Sequence, residues 1–356
     1  MDIFSLVRSA AEKGASDLHL MVDSCPIFRI NGLLTSQEDL PALTSDDVAQ
    51  AFQQITAEKE RANFHHSLEL DFGYTMPDIG RLRCNAAKQR GTLTLAIRII
   101  PLVIPSLDEL GLPQMCKDLI LKPRGLVVVS GPSGSGKSTT LAAMINYLNS
   151  VESKRIITIE DPIEYIYSNH KCTITQRELG SDTLSFADAL KHILRQDPDV
   201  ILVGEMRDLE TASTVLTVAE TGHLILTTGH ATSASQAIER IIDLFPTHER
   251  HLAQTRLASL LLGILCQTLV PRADGSGRAA AVEIMLASPA IKNIIREGKI
   301  HQLPNAIVTQ ASSGMMLLDH SLIDLYRRGL IGGDSLLASC NDREEVAKLV
   351  GRVEVE

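Results

Sequence analysis

An eight-residue stretch, residues 131–138, constrains this chain more than any other feature of its sequence. It reads GPSGSGKS and has the required residue at every fixed position of the pattern G-x-x-x-x-G-K-[ST]. The apolar run 126–129 comes directly before it, and apolar residues at helical spacing begin at Leu141 after it. The sequence therefore predicts a strand, a loop and a helix, with the backbone N–H groups of the loop turned inward around a polyphosphate.

The side chains of this loop suit a nucleotide with bound Mg²⁺. Lys137 is predicted to reach the β- and γ-phosphates, and the Ser138 hydroxyl is predicted to ligate the metal. The predicted nucleotide-binding residues of the loop are Ser133, Gly134, Ser135, Gly136, Lys137, Ser138 and Thr139. The alternative is a chance turn rich in glycine and serine, which the strand and helix in register on either side disfavour.

Composition narrows the class of protein. The 356 residues are 44% apolar and 22% charged, which is ordinary for a soluble globular protein with room for two domains. A net charge of −9 and only 3% aromatic residues argue against a protein that coats nucleic acid. The six cysteines form no C-x-x-C pair, so neither a zinc site nor a disulfide framework is predicted, and a reducing cytoplasm fits best. The N-terminus lacks a signal sequence, and the most apolar predicted helix, 257–269, is interrupted by polar residues, so no membrane insertion is expected.

The periodicity of the chain predicts two α/β domains. Residues 1–100 form the first, 101–113 a proline-rich linker, and 114–356 the second. The elements predicted in the first domain are a helix starting at Ile3, a strand at 17–20, a hairpin turning at Asn31-Gly32, helical residues 46–63, and a second hairpin pairing 81–84 with 93–98. Those predicted in the second are strands at 126–129, 155–159, 200–203 and 224–226, a helix after the loop, and helices at 186–196 and 210–220. Beyond Pro246 the prediction is helical, apart from a turn at 275–277 and the run 279–285.

Acidic residues follow two of the predicted strands in the second domain. Glu205 comes after the apolar run 200–203, as expected of a Walker B strand that delivers a carboxylate to Mg²⁺. Glu160 and Glu164 follow the strand 155–159, at the edge where parallel sheets bind ligands. One of these two can orient or deprotonate the attacking water, and Glu160 can serve Mg²⁺ or structure instead. The alternative for Glu205 is a surface acid at the end of a buried strand, and the alternative for Glu160 and Glu164 is an acid cluster that starts a helix. The phosphate loop upstream disfavours both.

Two histidines bracket the predicted strand 224–226. A lone histidine in such a place is usually a core residue whose hydrogen bonds are satisfied. His230, however, follows the carboxyl end of the strand, at the same sheet edge as Ser138 and Glu205, where it can sense the γ-phosphate. His223 precedes the strand.

Several segments, in this order and spacing, resemble the ATPases of type II and IV secretion and of type IV pili. Residues 160–164 look like the Asp box of that family, and residues 221–234 look like its His box. Residues 15–20, 197–211 and 290–297 are similar to the retraction branch, the PilT type, which drives twitching motility. Gly229, Ala231 and Lys292 depart from the usual Leu, Thr and Arg.

The resemblance implies a PAS-like N-terminal domain, a RecA-like P-loop NTPase domain with a helical C-terminal part, and a homohexameric ring. It further implies that Mg²⁺-dependent ATP hydrolysis drives pilus retraction against an inner-membrane platform protein, from the cytoplasmic side of the pilus base and without nucleic acid. The roles it carries over are general base for Glu164, Walker B acid and Mg²⁺ ligand for Glu205, a catalytic or structural role for Glu160, phosphate contact for Lys137, sensor for His230, nucleotide contact for Arg83 and Arg98, and coupling for His223 and Arg296.

Other functions remain as alternatives. Within the family these are an accessory paralogue of the PilU type and a pilus-extension or secretion ATPase. A recombinase or helicase would share the core but lacks the positive charge and aromatic residues to hold a strand. A scaffold that binds nucleotide without hydrolysing it is disfavoured by the presence of Glu164 and Glu205.

Overall fold

The computed structural model describes residues 1–30, 32–101 and 103–351. The chain divides into two compact units. The first comprises Met1–Val103 together with Pro162–Ile166, and the second comprises Ile104–Asp161 with Tyr167–Glu356. The predicted linker 101–113 remains a prediction, and the division between the units falls inside it.

The first unit is an antiparallel sheet packed with helices. Its elements are α1 (Ile3–Glu12), β1 (Ala15–Leu20), β2 (Ile27–Ile30), β3 (Leu33–Ser36), α2 (Ser45–Ile55), α3 (Glu58–Ser67), β4 (Glu69–Met76), β5 (Gly80–Gln89) and β6 (Thr92–Pro101). The six strands lie in the order β3-β2-β1-β6-β5-β4. Leu18, Leu82 and Leu95 are fully buried in its core, against the apolar faces of α1 and α2.

Both predicted hairpins of this unit are present. Ile30 pairs with Leu33, and Gln89 pairs with Thr92. The turn residue Asn31 lies outside the described residues. The predicted helical stretch 46–63 is two helices, because Thr56 leaves the helical conformation and the Glu60 carboxylate accepts a hydrogen bond from the Ala57 N–H to start α3.

The second unit is a largely parallel sheet covered by helices on both faces. Its elements are α4 (Met115–Ile120), β7 (Gly125–Ser130), α5 (Lys137–Val151), β8 (Arg155–Glu160), β9 (Thr173–Glu178), α6 (Phe186–Ile193), β10 (Val200–Val203), α7 (Leu209–Glu220), β11 (Leu224–Thr228), α8 (Ala234–Asp243), α9 (Arg250–Leu260), β12 (Leu261–Pro271), β13 (Arg278–Leu286), α10 (Pro289–Arg296), α11 (Leu303–Thr309), α12 (Leu318–Arg327), α13 (Gly333–Ser339) and α14 (Arg343–Gly351). The strand order is β13-β12-β7-β11-β10-β8-β9, and only β13 runs antiparallel to its neighbour.

Strand β7 is buried on both faces, as expected of the centre of such a sheet. Leu126 and Val128 face one apolar core, and Val127 and Val129 face another on the opposite side of the sheet. The loop that follows Ser130, the end of β8 and the residues after β10 and β11 meet at the carboxyl edge of this sheet. The fold therefore gathers the predicted site segments of the second unit at one edge.

The predicted helix 257–269 is wrong from Leu261 onward. Helix α9 ends at Leu260, and β12 then lies between β7 and β13, parallel to the first and antiparallel to the second. A continuous apolar run is compatible with either a buried helix or a buried strand, and here the distant strand β7 and the next strand in the chain, β13, supply the hydrogen bonds. Gly263 fits this position, because a Cβ there would lie 3.1 Å from the carbonyl oxygen of Met285.

The rest of the chain up to residue 351 is helical after β13, as predicted. Across the described residues, no helix has the length and apolar character needed to cross a membrane.

Candidate nucleotide-binding and catalytic site

The predicted phosphate loop joins β7 to α5, as its sequence requires. Helix α5 begins at Lys137, directly after Gly136, which has a φ of +87° and offers no side chain to cap the helix. The N-terminus of α5 therefore carries no side-chain cap, as is typical of a helix N-terminus that binds an anion. Gly131 is required by space as well as conformation, because a Cβ there would lie 2.3 Å from the Gln267 carbonyl oxygen.

The polar side chains of the loop fit a polyphosphate. Lys137 Nζ donates to the carbonyl oxygens of Gly131 and Pro132, at 2.8 and 3.0 Å. Ser135 is 3% exposed, and its Oγ has no hydrogen-bond partner within the described part of the chain. A buried hydroxyl without a partner is unfavourable by roughly 1–3 kcal/mol, so an acceptor oxygen at the loop would stabilise it. The hydroxyl of Ser138 and the carboxylate of Glu205 are hard oxygen donors of the kind that Mg²⁺ prefers.

Gln267 supports this loop and was not found from the sequence. Its Oε1 accepts a hydrogen bond from Thr140 Oγ1 at 2.7 Å, and both residues are buried. This bond fixes the first turn of α5 against β12. Because residue 267 falls in the stretch wrongly predicted as helix, its position beside the loop could not be inferred.

Glu205 follows β10 at the carboxyl edge of the sheet, and its side chain is only 11% exposed. Arg207 Nη2 lies 2.6 Å from its Oε1, and His230 Nε2 lies 3.4 Å from its Oε2. The structure therefore brings together two residues singled out from separate motifs. Arg207 is an additional member of the site, and its place two residues after the acid is the one signal the sequence offers.

Glu160 ends β8 and is 9% exposed. Its Oε1 accepts hydrogen bonds from Thr158 Oγ1 at 2.6 Å and from Gln176 Nε2 at 3.1 Å. Strand pairing places it one residue beyond Ile159, which pairs with Val203 of β10. Glu160 is thus held in a polar network at the same edge of the sheet as Glu205.

The two histidines of the His box occupy opposite ends of β11. His230 is half exposed at the carboxyl end, beside Glu205. His223 precedes the strand, and its Nδ1 lies 2.9 Å from Thr221 Oγ1 and 3.3 Å from the Val218 carbonyl oxygen. The structure therefore brings His230, and not His223, to the edge that carries the phosphate loop.

A cavity of about 410 Å³ opens beside Glu205 and His230. Arg207, the α8 residues Ala237 and Ile241, and Leu244 directly after α8 also line it. Gly229 contributes to its wall. A Cβ at that residue would lie 2.9 Å from Ser130 Oγ. The glycine at this departure from the family pattern thus leaves room for the Ser130 hydroxyl.

Three further predicted site residues belong to the first unit: Arg83, Arg98 and Glu164. Arg83 and Arg98 lie directly opposite each other on β5 and β6. Each has a carboxylate nearby: Arg83 Nη1 is 3.7 Å from Glu164 Oε1, and Arg98 Nε is 2.9 Å from Asp17 Oδ1. Like charges on opposed strands repel, so the two acids offset this repulsion. Glu164 lies in the same compact unit as these arginines.

Arg296 is the last residue of α10 and is exposed. Ile291 and Ile295 of the same helix are fully buried. The predicted division of 290–297 into an apolar and a charged face holds for these residues, although Ala290 is exposed.

A strand, a phosphate loop and a helix at the carboxyl edge of a parallel sheet, with a buried acid after another strand of that sheet, define a P-loop nucleoside triphosphatase. The family model for type II/IV secretion system proteins matches residues 2–301. The chain belongs to this family.

Relatives along nearly the whole chain narrow this further. The Type IV pilus retractation ATPase PilT of Pseudomonas aeruginosa is 45% identical over 94% of this chain and 97% of its own length. The Type IV pilus ATPase PilU of the same organism is 41% identical over 98% of this chain and 92% of its own. The solved structure of the pilus retraction motor PilT with bound ADP is 41% identical, covers 98% of this chain and 99% of its own, and has a TM-score of 0.89.

These comparisons confirm three predictions. The chain has the α/β fold of a small N-terminal domain followed by a RecA-like ATPase domain, it is an ATPase, and it resembles the PilT-type branch.

Proposed function

We propose that this chain is the subunit of a homohexameric motor in which Mg²⁺-dependent ATP hydrolysis drives retraction of type IV pili and hence twitching motility. The observation that carries the proposal is 45% identity to a PilT ATPase over 94% of the chain, with every fixed residue of the phosphate loop in place. The domains are residues 1–100, a linker 101–113, and an ATPase domain 114–356.

In this proposal the chain's own residues bind, orient and neutralise the polyphosphate. The amides of residues 133–139 and the Lys137 ammonium hold the phosphates. Ser138 and Glu205 would hold Mg²⁺, which would supply positive charge against the phosphates. Glu164 takes the proton of the attacking water, and His230 reports the γ-phosphate through its contact with Glu205.

Arg83 and Arg98 have a proposed role that requires neighbouring subunits in a ring. Their guanidinium groups would approach the γ-phosphate, where added positive charge accelerates phosphoryl transfer. Arg98 is 60% exposed and therefore accessible. Glu160 is assigned a supporting role, since its carboxylate already accepts two side-chain hydrogen bonds.

Force would pass to an inner-membrane platform protein of the pilus, which places the ring in the cytoplasm at the pilus base. No nucleic acid is required, in keeping with the net charge of −9. The exposed face of α10 that carries Arg296 is the proposed coupling surface, and a coupling role for His223 stays a prediction.

The first test uses the purified chain. ATP turnover that requires Mg²⁺, together with a mass of six subunits by light scattering in the presence of nucleotide, is the expected result. Turnover that persists unchanged in excess EDTA, or full turnover by a monomer, would contradict the proposal.

An accessory role of the PilU type is the second candidate, because identity to PilU is 41% over 98% of the chain. The two roles separate in cells that lack their own retraction ATPases. A main motor restores retraction when it is the only such ATPase expressed, whereas an accessory paralogue restores it only when a main motor is expressed with it.

A further inference from the structure

Three buried side chains lie in one row across the sheet of the second unit. Ser130 of β7 pairs with Cys266 of β12, and Cys266 pairs with Glu283 of β13. Register partners on adjacent strands point to the same face, so the three side chains are neighbours. They are 0%, 1% and 4% exposed. A polar row in a strongly apolar core demands an explanation, because buried polar groups are retained only with partners.

Both ends of this row hold the segment that follows His230. Ser130 Oγ donates to the Ala231 carbonyl oxygen at 2.7 Å, and Glu283 Oε1 accepts from the Ala234 N–H at 2.7 Å. Cys266 lies between them in the row, as the register partner of both Ser130 and Glu283. Two anchors three residues apart therefore fix the end of the His box, residues 221–234, to the sheet.

Glu283 has a second partner in the C-terminal helices. The backbone N–H of Leu318, the first residue of α12, also faces this carboxylate and lowers the pKa of the carboxyl. Residue 317, at the N-cap of α12, is a leucine and supplies no side-chain cap. Glu283 thus places a carboxylate near the N-terminus of α12, where the helix's own sequence provides no side-chain cap.

The same is true of α8. Its N-cap Ser233 accepts from the Gln236 N–H, so the Ala234 N–H needs another acceptor. The Glu283 carboxylate supplies it. One buried carboxylate therefore lies at the N-termini of two helices, where negative charge is favourable.

We propose that Glu283 is a positioning residue for ATP hydrolysis, which clamps the His box to the sheet and ties it to the start of α12. The proposal rests on the proposed function, in that His230 must act during hydrolysis.

The test compares Glu283→Gln and Glu283→Ala with a matched control. Gln keeps the size of the side chain but has one acceptor oxygen for two N–H donors, and Ala has none. The control is Ser321→Ala, because Ser321 Oγ is a buried acceptor for the Val282 N–H, joining α12 to β13 without touching the His box. In both Glu283 variants kcat should fall about tenfold or more, as small displacements in a site allow. KM for ATP should stay within about threefold, because the phosphate loop is untouched. Ser321→Ala should lower Tm but leave kcat within about twofold.

Amide hydrogen exchange tests the clamp without relying on activity. In Glu283→Gln, exchange should increase in peptides covering residues 231–237 and the start of α12, and stay unchanged in α5. If Glu283→Ala does not fold, Glu283→Gln alone decides the question.

Unchanged kcat and unchanged exchange at 231–237 in Glu283→Gln would overturn the proposal, as would a fall in kcat equal to that in Ser321→Ala at the same loss of Tm. If exchange at residues 231–237 increases in Glu283→Gln but the parent protein hydrolyses no ATP, the clamp stands and the proposed function is refuted.

Discussion

At the scale of the residue, Lys137 is the simplest prediction. Lys137→Ala removes the ammonium group that stabilises charge on the transferring phosphoryl group, and turnover should fall about 10²-fold or more. Steady-state ATP hydrolysis at saturating Mg²⁺-ATP measures this. Lys122→Ala, an exposed lysine outside the loop, should leave turnover unchanged, and an active Lys137→Ala would remove this lysine from the mechanism.

The choice of general base is a separate prediction at this scale. Glu160 already accepts from Thr158 and Gln176, whereas Glu164 is about a third exposed and near Arg83. Glu164→Gln should lower turnover about 10²-fold while binding of a fluorescent ATP analogue survives. Parental turnover in Glu164→Gln, with an inactive Glu160→Gln, would show that the assignment is reversed.

The titration of Glu283 gives a pH-dependent prediction. Burial raises the pKa of the Glu283 carboxyl above its ordinary 4.5, and the two N–H donors oppose that rise. At pH values between the unfolded and the folded pKa, the native state then binds more protons than the unfolded state. The stability that this group contributes is therefore present at low pH and is lost as pH rises through the folded pKa. The free energy of unfolding of the parent, relative to that of Glu283→Gln, should therefore fall with increasing pH above about 4.5. Urea denaturation across this range measures it, and a difference that rises with pH would contradict the assignment.

At the scale of the element, the helices and strands that could be predicted are those whose signal is contiguous in the sequence. The loop 131–138 and its flanking strand and helix could be predicted because their chemistry is contiguous in sequence. Strand β12 could not, because an apolar run does not show that it pairs with a strand as distant as β7. Ser130, Gln267 and Glu283 were missed for the same reason, since their roles depend on strand register. Glu283 did leave one signal, an acid inside the apolar run 279–285.

Helix α10 carries the prediction that separates hydrolysis from mechanical output. Arg296 is exposed while Ile291 and Ile295 anchor the helix, so Arg296→Ala should affect stability little. ATP turnover should stay within about threefold, and pilus retraction should be lost. Arg328→Ala, at an exposed arginine directly after α12, serves as control. Equal loss of turnover and retraction would mark the α10 residue as structural, and intact twitching would remove it from the mechanism.

At the scale of the whole molecule, activity should depend on assembly. Arg83 and Arg98 are proposed to act on nucleotide within a ring, so turnover per subunit should fall on dilution through the range in which the ring dissociates. Mass photometry and ATP hydrolysis on the same dilution series measure this. Turnover per subunit that stays constant while rings dissociate, or an unaffected Arg98→Ala, would falsify the idea and leave these arginines as surface ion pairs, which are usually weak.

The central claim is that ATP hydrolysis by this chain retracts pili, and counting surface pili tests it most directly. Cells without the gene, and cells expressing only Lys137→Ala, should carry more pili than the parent and should not twitch, and the parental gene should restore both properties. Deletion cells with the parental number of pili and normal twitching, or with no pili at all, would contradict the account.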